Sequence, residues 1–523
     1  MARPIPVTRD EVARLGAGDQ MRLGPAVQRL RMDLAAVDYA TEAIDALLGD
    51  VASAALHREQ LLPARRVAAA DEPLAIVMRL FTLGVAVSVA DIDRALPACG
   101  VAGLVELELV EPADADDDGD QLMRATCDLR PYGDEQHRWW VASDLSETVT
   151  GRALPQDHVL GIGGASTTLA SWTPRRTAAR ALDVGTGCGV QALHLLSHAG
   201  QVVATDLSLP ALGYARFNAA LNEVDLDLRA GSLLEPIGPH EVFDLVVSNP
   251  PFVITPRTEE MPAYEYRDGG MTGDSLVQRL IRDLPGVLAP GGVAQLLANW
   301  EVPRGGDWRE VVGGWIAGTG LDAWVVQRDE QDPAQYAELW AGDGGHGHFE
   351  ASAALYDQMY TAWLEDFAAR DVERIGFGIV TLQRPTNGRE PFVDLVEVTG
   401  PVAATMGPTI DAGLRARTAL AEGGDAYLLE QRWRVASDVT EERHGFPGSQ
   451  DPSVILLRQG GGLGTAIQLD TALAAFVSVC DGELIAAAAL DAIAELIEQD
   501  AASLRARLLP RVAALVADGL LQI

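Results

Sequence analysis

Apolar and charged positions alternate at helical spacing through residues 26–70, which predicts a run of amphipathic helices. The following stretch, DEPLAIVMRLFTLGVAVSVADIDRALPACGVAGLVELELVEP (71–112), breaks into short helices separated by Gly and Pro, and it closes as a helix running into a strand. Beyond the acidic turn DADDDGD (114–120), the segments QLMRATCDLRPY and RWWVASDL read as further strands. Helices followed by a hairpin is the winged-helix order. No helix here carries the row of Arg and Lys that phosphate contact needs, so residues 1–155 are expected to form an accessory domain packed on its neighbour.

From about residue 156 the period changes. Short Val/Leu/Ala-rich strands, AARALDVG, QVVATD, DLDLRAGS, FDLVVSNPP, GGVAQLLANW and DAWVVQRD, alternate with helices. That alternation predicts an α/β domain over residues 156–385, an open and mostly parallel sheet with helices on both faces. A helix-rich insertion, roughly 334–372, precedes the last candidate strand, IGFGIVTLQRP (375–385). Residues 386–523 form a third region, with Gly- and Pro-containing stretches around 386–410 and 445–465 and a closing run of short helices ending in GLL. Its end follows the plan of residues 74–110, and RWWVASDLSE (138–147) returns as RWRVASDVTE (432–441), so a second winged-helix-like unit is expected there.

Composition narrows the partners. Among 523 residues, 75 acidic side chains face 40 basic ones for a net charge of −35, so the surface as a whole repels polyphosphate and only a local basic patch could serve nucleic acid. Four cysteines, Cys99, Cys127, Cys188 and Cys480, form no C-x-x-C pair, which suits a reducing compartment and gives no zinc spacing. The opening MARPIPVTRDEVARL has no signal-peptide core and no long uncharged apolar stretch follows, so a cytoplasmic protein without a membrane partner is expected. His346 and His348 in GGHGHFE lack a third ligand, and no metal is expected.

Candidate chemistry begins at ALDVGTGCGVQALHLL (181–196), a strand, a glycine turn and a helix. Gly185, Gly187 and Gly189 leave backbone N–H groups and a helix N-terminus open to a ligand. A dinucleotide fingerprint wants a third glycine where Val190 stands, which weakens a nicotinamide reading. Asp183 lies inside the strand, where a carboxylate needs a partner; capping of nearby amides is the alternative to a ligand. Asp206 ends the second strand, a position from which a carboxylate reaches ribose hydroxyls, and Ser232 and Leu233 follow the third, where an adenine would sit.

With the glycine turn, the acidic strand end and SNPPF in this order, residues 156 to about 385 resemble the class I S-adenosylmethionine-dependent methyltransferases. Within them the likeness is to the N-methyltransferases carrying N/D-P-P-F/Y: HemK-type glutamine, small-domain ribosomal RNA guanine and adenine-N6 enzymes. DHVLGIGGASTTLASWTP (157–174) is similar to the segment that closes over the cofactor in that group. The resemblance implies a Rossmann-like sheet and S-adenosyl-L-methionine held by Asp183, Gly185, Gly187, Gly189, Asp206, Ser232, Leu233 and Asn249. It also implies catalysis by Asn249, Pro250 and Phe252: the Asn oxygen and the first proline's carbonyl accept the two hydrogens of a planar amino group, and the ring packs against it. Pro250 and Pro251 fix φ and remove competing donors. Gly269, Gly270 and Gly273 in EYRDGGMTGDSLVQRLI (265–281) are candidates for a substrate-side loop, and Tyr264, Tyr266 and Trp300 for aromatic surface. The expected substrate is an RNA base, alone or in a ribonucleoprotein; the alternatives are a protein glutamine or other side chain, and a non-catalytic cofactor-binding scaffold.

Overall fold

The computed structural model describes residues 24–115, 119–257, 264–342, 353–448 and 452–523. Its centre is an eight-stranded sheet: β1 (Ala178–Val184), β2 (Ala199–Asp206), β3 (Asp227–Ala230), β4 (Phe243–Ser248), β5 (Leu288–Pro303), β6 (Asp322–Gln331), β7 (Val372–Gln383) and β8 (Val393–Glu397). Across the sheet the order is 3-2-1-4-5-7-6-8. All neighbours run parallel except β7, which is antiparallel to both β5 and β6. This is the α/β, Rossmann-like sheet that the sequence predicts. It reaches one strand beyond the expected boundary at residue 385, because β8 adds to the edge of β6.

Two-residue periodicity divides the strand side chains between two cores. Ala181, Ala204, Leu245 and Val247 face one side and pack on Leu169, Trp172, Ile410 and Leu414; Leu182, Val184, Val203 and Val246 face the other and pack on Leu280, Ile281 and Trp315. Burial on both faces explains why these strands read as continuous apolar runs.

Before the sheet come helices Gly24–Ala36, Thr41–Leu56, Leu61–Val67 and Pro73–Phe81. A strand Val87–Ser88, helices Val89–Ala95 and Gly100–Glu106, and strands Val110–Ala113 and Leu122–Ala125 complete a small three-stranded sheet. QLMRATCDLRPY is not one strand. It changes sheets at Thr126–Cys127, and Asp128–Gly133 pairs instead with Arg138–Ser143.

After the sheet, helix Gly407–Glu430 leads to an antiparallel sheet of Val439–His444, Val454–Gln459 and Ala466–Leu469 and to helices Thr471–Ser478, Ala486–Leu496 and Ala501–Ala517 around their own core. The sequence echo does not extend to pairing. Trp139 and Trp433 are both buried, yet Arg138–Ser143 pairs with the preceding strand whereas Arg434–Val435 pairs with Leu521–Gln522 near the end of the chain.

The far edge of the sheet is pinned by a buried ion pair. Asp322, at the start of β6, has a fully buried side chain that receives both Arg389 Nη atoms at 2.5 and 2.7 Å and the Phe392 amide at 3.0 Å, which fixes the entry into β8. Removing one partner strands the other charge in the interior. Arg389→Met is expected to lower stability by about 3–5 kcal/mol, read as a fall in the urea midpoint; a loss below ~1 kcal/mol would contradict this role.

Candidate functional site

The strand order reverses between β1 and β4, and the loops leaving these neighbours diverge, opening a crevice at the carboxyl ends of the strands. A cavity of about 260 Å³ lies there. Gly185 and Gly187 line it after β1, Asp206 at the end of β2, Ser232 and Leu233 after β3, and Asn249 after β4.

The glycine turn is shaped by φ angles of +73°, +56° and +90° at Gly185, Gly187 and Gly189, a region open to glycine and strained for other residues. A Cβ on Gly185 or Gly187 would meet no atom within 4 Å, so both leave open space beside the cavity, while the Gly185 amide is held by the Thr205 carbonyl at 2.9 Å. Gly189 differs: a Cβ there would press within 3.3 Å of Ala215 Cα and Cβ, and the residue lies outside the cavity lining. Its smallness serves helix packing rather than ligand contact, a correction to the expected role.

Asp206 binds the turn to the next loop. Its Oδ2 accepts from the Gly187 amide at 2.8 Å and its Oδ1 from the Ser208 amide at 2.8 Å. Burial raises its carboxyl above the ordinary value, against these amide donors, and the charge of Glu265 adds to the rise. Each oxygen keeps a lone pair for a hydroxyl. Leu233 holds a left-handed φ of +49° while its carbonyl accepts from Thr205 Oγ1 at 3.2 Å, so strain is concentrated beside the cavity.

Asp183 does not line the cavity. Fully buried, its Oδ2 accepts from Thr186 Oγ1 at 2.6 Å and from the Ala192 amide at 3.1 Å, so the carboxyl caps the glycine turn and the helix Val190–Leu196. Capping, the alternative weighed on sequence, describes that oxygen; Oδ1 has no partner among the described residues.

The turn after β4 is gripped from behind by the insertion helices Pro333–Gly342 and Ala353–Ala369. Tyr336 Oη accepts from the Ile254 amide at 2.8 Å, and Trp363 Nε1 donates to the Ile254 carbonyl at 2.7 Å. Asn249 thus projects from an immobilised turn. Its Oδ1 is shielded from solvent and accepts no hydrogen bond among the described residues. Pro250 and Phe252 do not line the cavity, whereas Pro251 does. Phe252 bridges to Asp268 and packs against the core, so its ring is not at the cavity wall, where packing on the amino group would require it. Tyr266 takes the place at the wall, edge-on to His158 with centroids 5.8 Å apart. Tyr264 is buried under the Arg267 guanidinium and Trp300 stacks on Trp308 in the core; neither reaches the cavity.

Of the glycines expected in a substrate-side loop, Gly269 and Gly270 line the cavity and Gly273 does not. Sequence reasoning named the segment 157–174, and His158, Val159, Leu160, Gly161 and Ser166 come from it. It missed Gln191, Ser208 and Glu265, for which no local pattern gave a signal. Cys188 also lines the wall, with a thiol pushed up to about 12 by burial, so it offers no thiolate at neutral pH. Among the described residues no cluster of three metal-ligating side chains occurs and no helix is long and apolar enough to cross a membrane. His346 and His348 lie outside the described residues.

Residues 161–313 match the family model described as Methyltransferase small domain, and residues 36–121 match one described as Domain of unknown function (DUF7059). A release factor glutamine methyltransferase of Geobacter sulfurreducens is 40% identical over 125 residues, 22% of this chain and 43% of that protein. A ribosomal RNA small subunit methyltransferase C of Salmonella arizonae is 33% identical over 177 residues, 34% of this chain and 45% of that one. The chain therefore spans less than half the length of these two curated relatives. Among solved structures, a T. thermophilus 16S rRNA methyltransferase in complex with AdoMet and guanosine covers 46% of this chain and 63% of its own, at 16% identity and a TM-score of 0.25.

Burial pushes the Asp183 carboxyl up to about 7, with the Thr186 hydroxyl opposing and the Asp206 charge adding to the rise. An unfolded Asp titrates near ~3.9, so the folded state favours the proton: the contribution to stability is whole below that value and is lost as pH climbs through about 7. Asp183→Asn, isosteric with the neutral acid, is expected to remove that loss, gaining on the order of 2 kcal/mol on wild type between about pH 5 and pH 8 in urea unfolding. Parallel curves for the two proteins would contradict a buried, raised carboxyl.

Proposed function

We propose, from the methyltransferase small domain matched by residues 161–313, that the protein is an S-adenosylmethionine-dependent N-methyltransferase acting on a planar amino nitrogen. The observation that carries this reading is the Asn249 carboxamide: a shielded oxygen without a donor among the described residues, on a rigid turn, at the wall of the cavity that Asp206 and the glycine turn share. A buried acceptor without a partner costs free energy unless a bound group supplies the hydrogen.

The residues present fit the cofactor. Gly185 and Gly187 leave the room that a close-lying ligand requires, Asp206 has acceptor capacity for a ribose diol, and Ser232 and Leu233, which line the cavity after β3, would flank the adenine. Cavity carboxylates at Asp206 and Glu265 suit a ligand bearing positive charge. When bound, S-adenosylmethionine supplies a methyl group already activated on a positively charged sulfur.

The chain's own work is then positioning. A conjugated amino nitrogen is flat and weakly nucleophilic because its lone pair is delocalised. Asn249 Oδ1 would accept a hydrogen bond from one N–H and favour a pyramidal nitrogen with its lone pair toward the methyl; the Pro250 carbonyl, which the family resemblance implies as the second acceptor, belongs to a residue outside the cavity lining. Tyr336 and Trp363 keep the turn from yielding, and the nitrogen loses its extra proton after transfer.

For the substrate, an RNA base and a protein glutamine both offer such a nitrogen, and the two curated relatives named above divide between ribosomal RNA and a release factor. One observation favours glutamine as the second reading: no lysine or arginine lines the cavity among the described residues, whereas Glu265 and Asp268 do. Incubation with methyl-labelled cofactor and a cell extract, followed by nuclease or protease, separates them; label removed by neither would overturn both.

Asn249→Ala is expected to keep cofactor affinity while losing turnover by ~10²-fold or more in a single-turnover assay; near-wild-type turnover would remove the amide from catalysis. Asp206→Ala is expected to weaken cofactor binding by roughly tenfold or more by calorimetry, and unchanged binding would refute the ribose assignment.

A further inference from the structure

Helix Leu209–Leu221 meets strand Arg138–Ser143 through side chains where a sheet would use backbone. One edge of the strand pairs with Asp128–Gly133. The other is closed by the helix and the residue that follows it. Asn222 Oδ1 accepts from the Trp140 amide at 3.0 Å, and its Nδ2 donates to the Trp140 carbonyl at 2.8 Å. Asn218 repeats the pattern on Ala142, accepting at 2.7 Å and donating at 2.9 Å. Tyr214 Oη donates to Asp144 Oδ1 at 2.8 Å, the third rung.

The spacing is a metric match. Four residues of helix rise about 6 Å and two residues of extended chain advance about 6.8 Å, so positions 222, 218 and 214 fall opposite 140, 142 and 144 in antiparallel sense. Each asparagine carboxamide stands in for a peptide group of a missing neighbouring strand.

Two of the rungs continue into the candidate cofactor cavity. Asn218 Nδ2 also donates to the Cys188 carbonyl at 2.8 Å, inside the glycine turn. Asp144 Oδ2 accepts from the Val159 amide at 2.8 Å, and the Asp144 amide donates to the Val159 carbonyl at 3.2 Å. Cys188 and Val159 both line the cavity, on the turn and on the segment beside it. Asn218 is 1% exposed, with its oxygen and both N–H groups engaged, so the docked strand and the glycine turn share one rigid group.

We propose that Asn218 and Asp144 are positioning residues that make the N-terminal unit part of the cofactor site, coupling the docking of strand Arg138–Ser143 to the geometry of the glycine turn and of residues 158–161. The proposal rests on the reading of the cavity as an S-adenosylmethionine site. Coupling of this kind is reciprocal, so cofactor binding tightens the strand on the helix.

The experiment uses the full chain. Amide hydrogen exchange at residues 140–142, 157–161 and 185–189 is followed with and without S-adenosylmethionine, beside calorimetric titration of the same samples. Asp144→Ala is expected to speed exchange at 157–161 and Asn218→Ala at 185–189, each weakening the cofactor by about tenfold, the scale of one buried hydrogen bond. Asp144→Asn, which keeps an acceptor for Val159, is expected to restore most of the affinity. Asn222→Ala removes a docking rung that does not touch the cavity and is expected to cost clearly less. Equal losses from all three alanine variants would mean general loosening and overturn the proposal, as would wild-type exchange and affinity in folded Asp144→Ala. Should Asn218→Ala fail to fold, the Asp144 pair decides. If wild type binds no S-adenosylmethionine, the proposed function fails, while exchange at 157–161 and 185–189 still tests the coupling.

Discussion

Everything in the site follows from one topological constraint, the reversal of strand order where β1 lies beside β4. Two parallel neighbours whose connections run to opposite sides cannot close the space above their carboxyl ends, and a crevice remains that no helix fills. Loops from β1, β2, β3 and β4 converge on that space, so residues scattered from Gly185 to Asn249 become neighbours. The direct bond from the Gly187 amide to Asp206 Oδ2 ties the first two of those loops together and gives the crevice its floor.

Within this frame the polar groups divide by how fully the fold satisfies them. Asn218 engages its oxygen and both N–H groups with protein atoms and acts as structure. Asp206 is half used, one amide to each oxygen. Asn249 Oδ1 receives no donor at all among the described residues, and Asp183 Oδ1 receives none either. The difference between these last two is access. Asn249 stands at the cavity wall, whereas Asp183 sits behind it, where keeping its proton is the less costly answer to burial.

The architecture was legible because burial on both faces writes itself into sequence as apolar runs, and each candidate strand from AARALDVG to IGFGIVTLQRP corresponds to a strand of the sheet. β8 escaped because FVDLVEV lies at an edge, half exposed, and is held by the distant Arg389–Asp322 pair rather than by its own pattern. At the site, glycines and strand-end carboxylates could be read from spacing, but direction could not. Gly185 and Gly189 share a spacing and a positive φ, yet one faces the cavity and the other Ala215. Phe252 and Tyr266 were both visible as aromatics, and only the packing of the insertion helices decides which ring reaches the wall. The rungs between Tyr214–Asn222 and Trp140–Asp144 depend on the relative placement of two units, which no single segment encodes.

The central claim is that this crevice is built for a positively charged, ribose-bearing methyl donor. Isothermal titration of S-adenosylmethionine into the purified wild-type chain tests it most directly: the account predicts saturable binding of one molecule per chain, in competition with its demethylated product. Absence of heat and of competition up to millimolar ligand, with the protein folded, would contradict it.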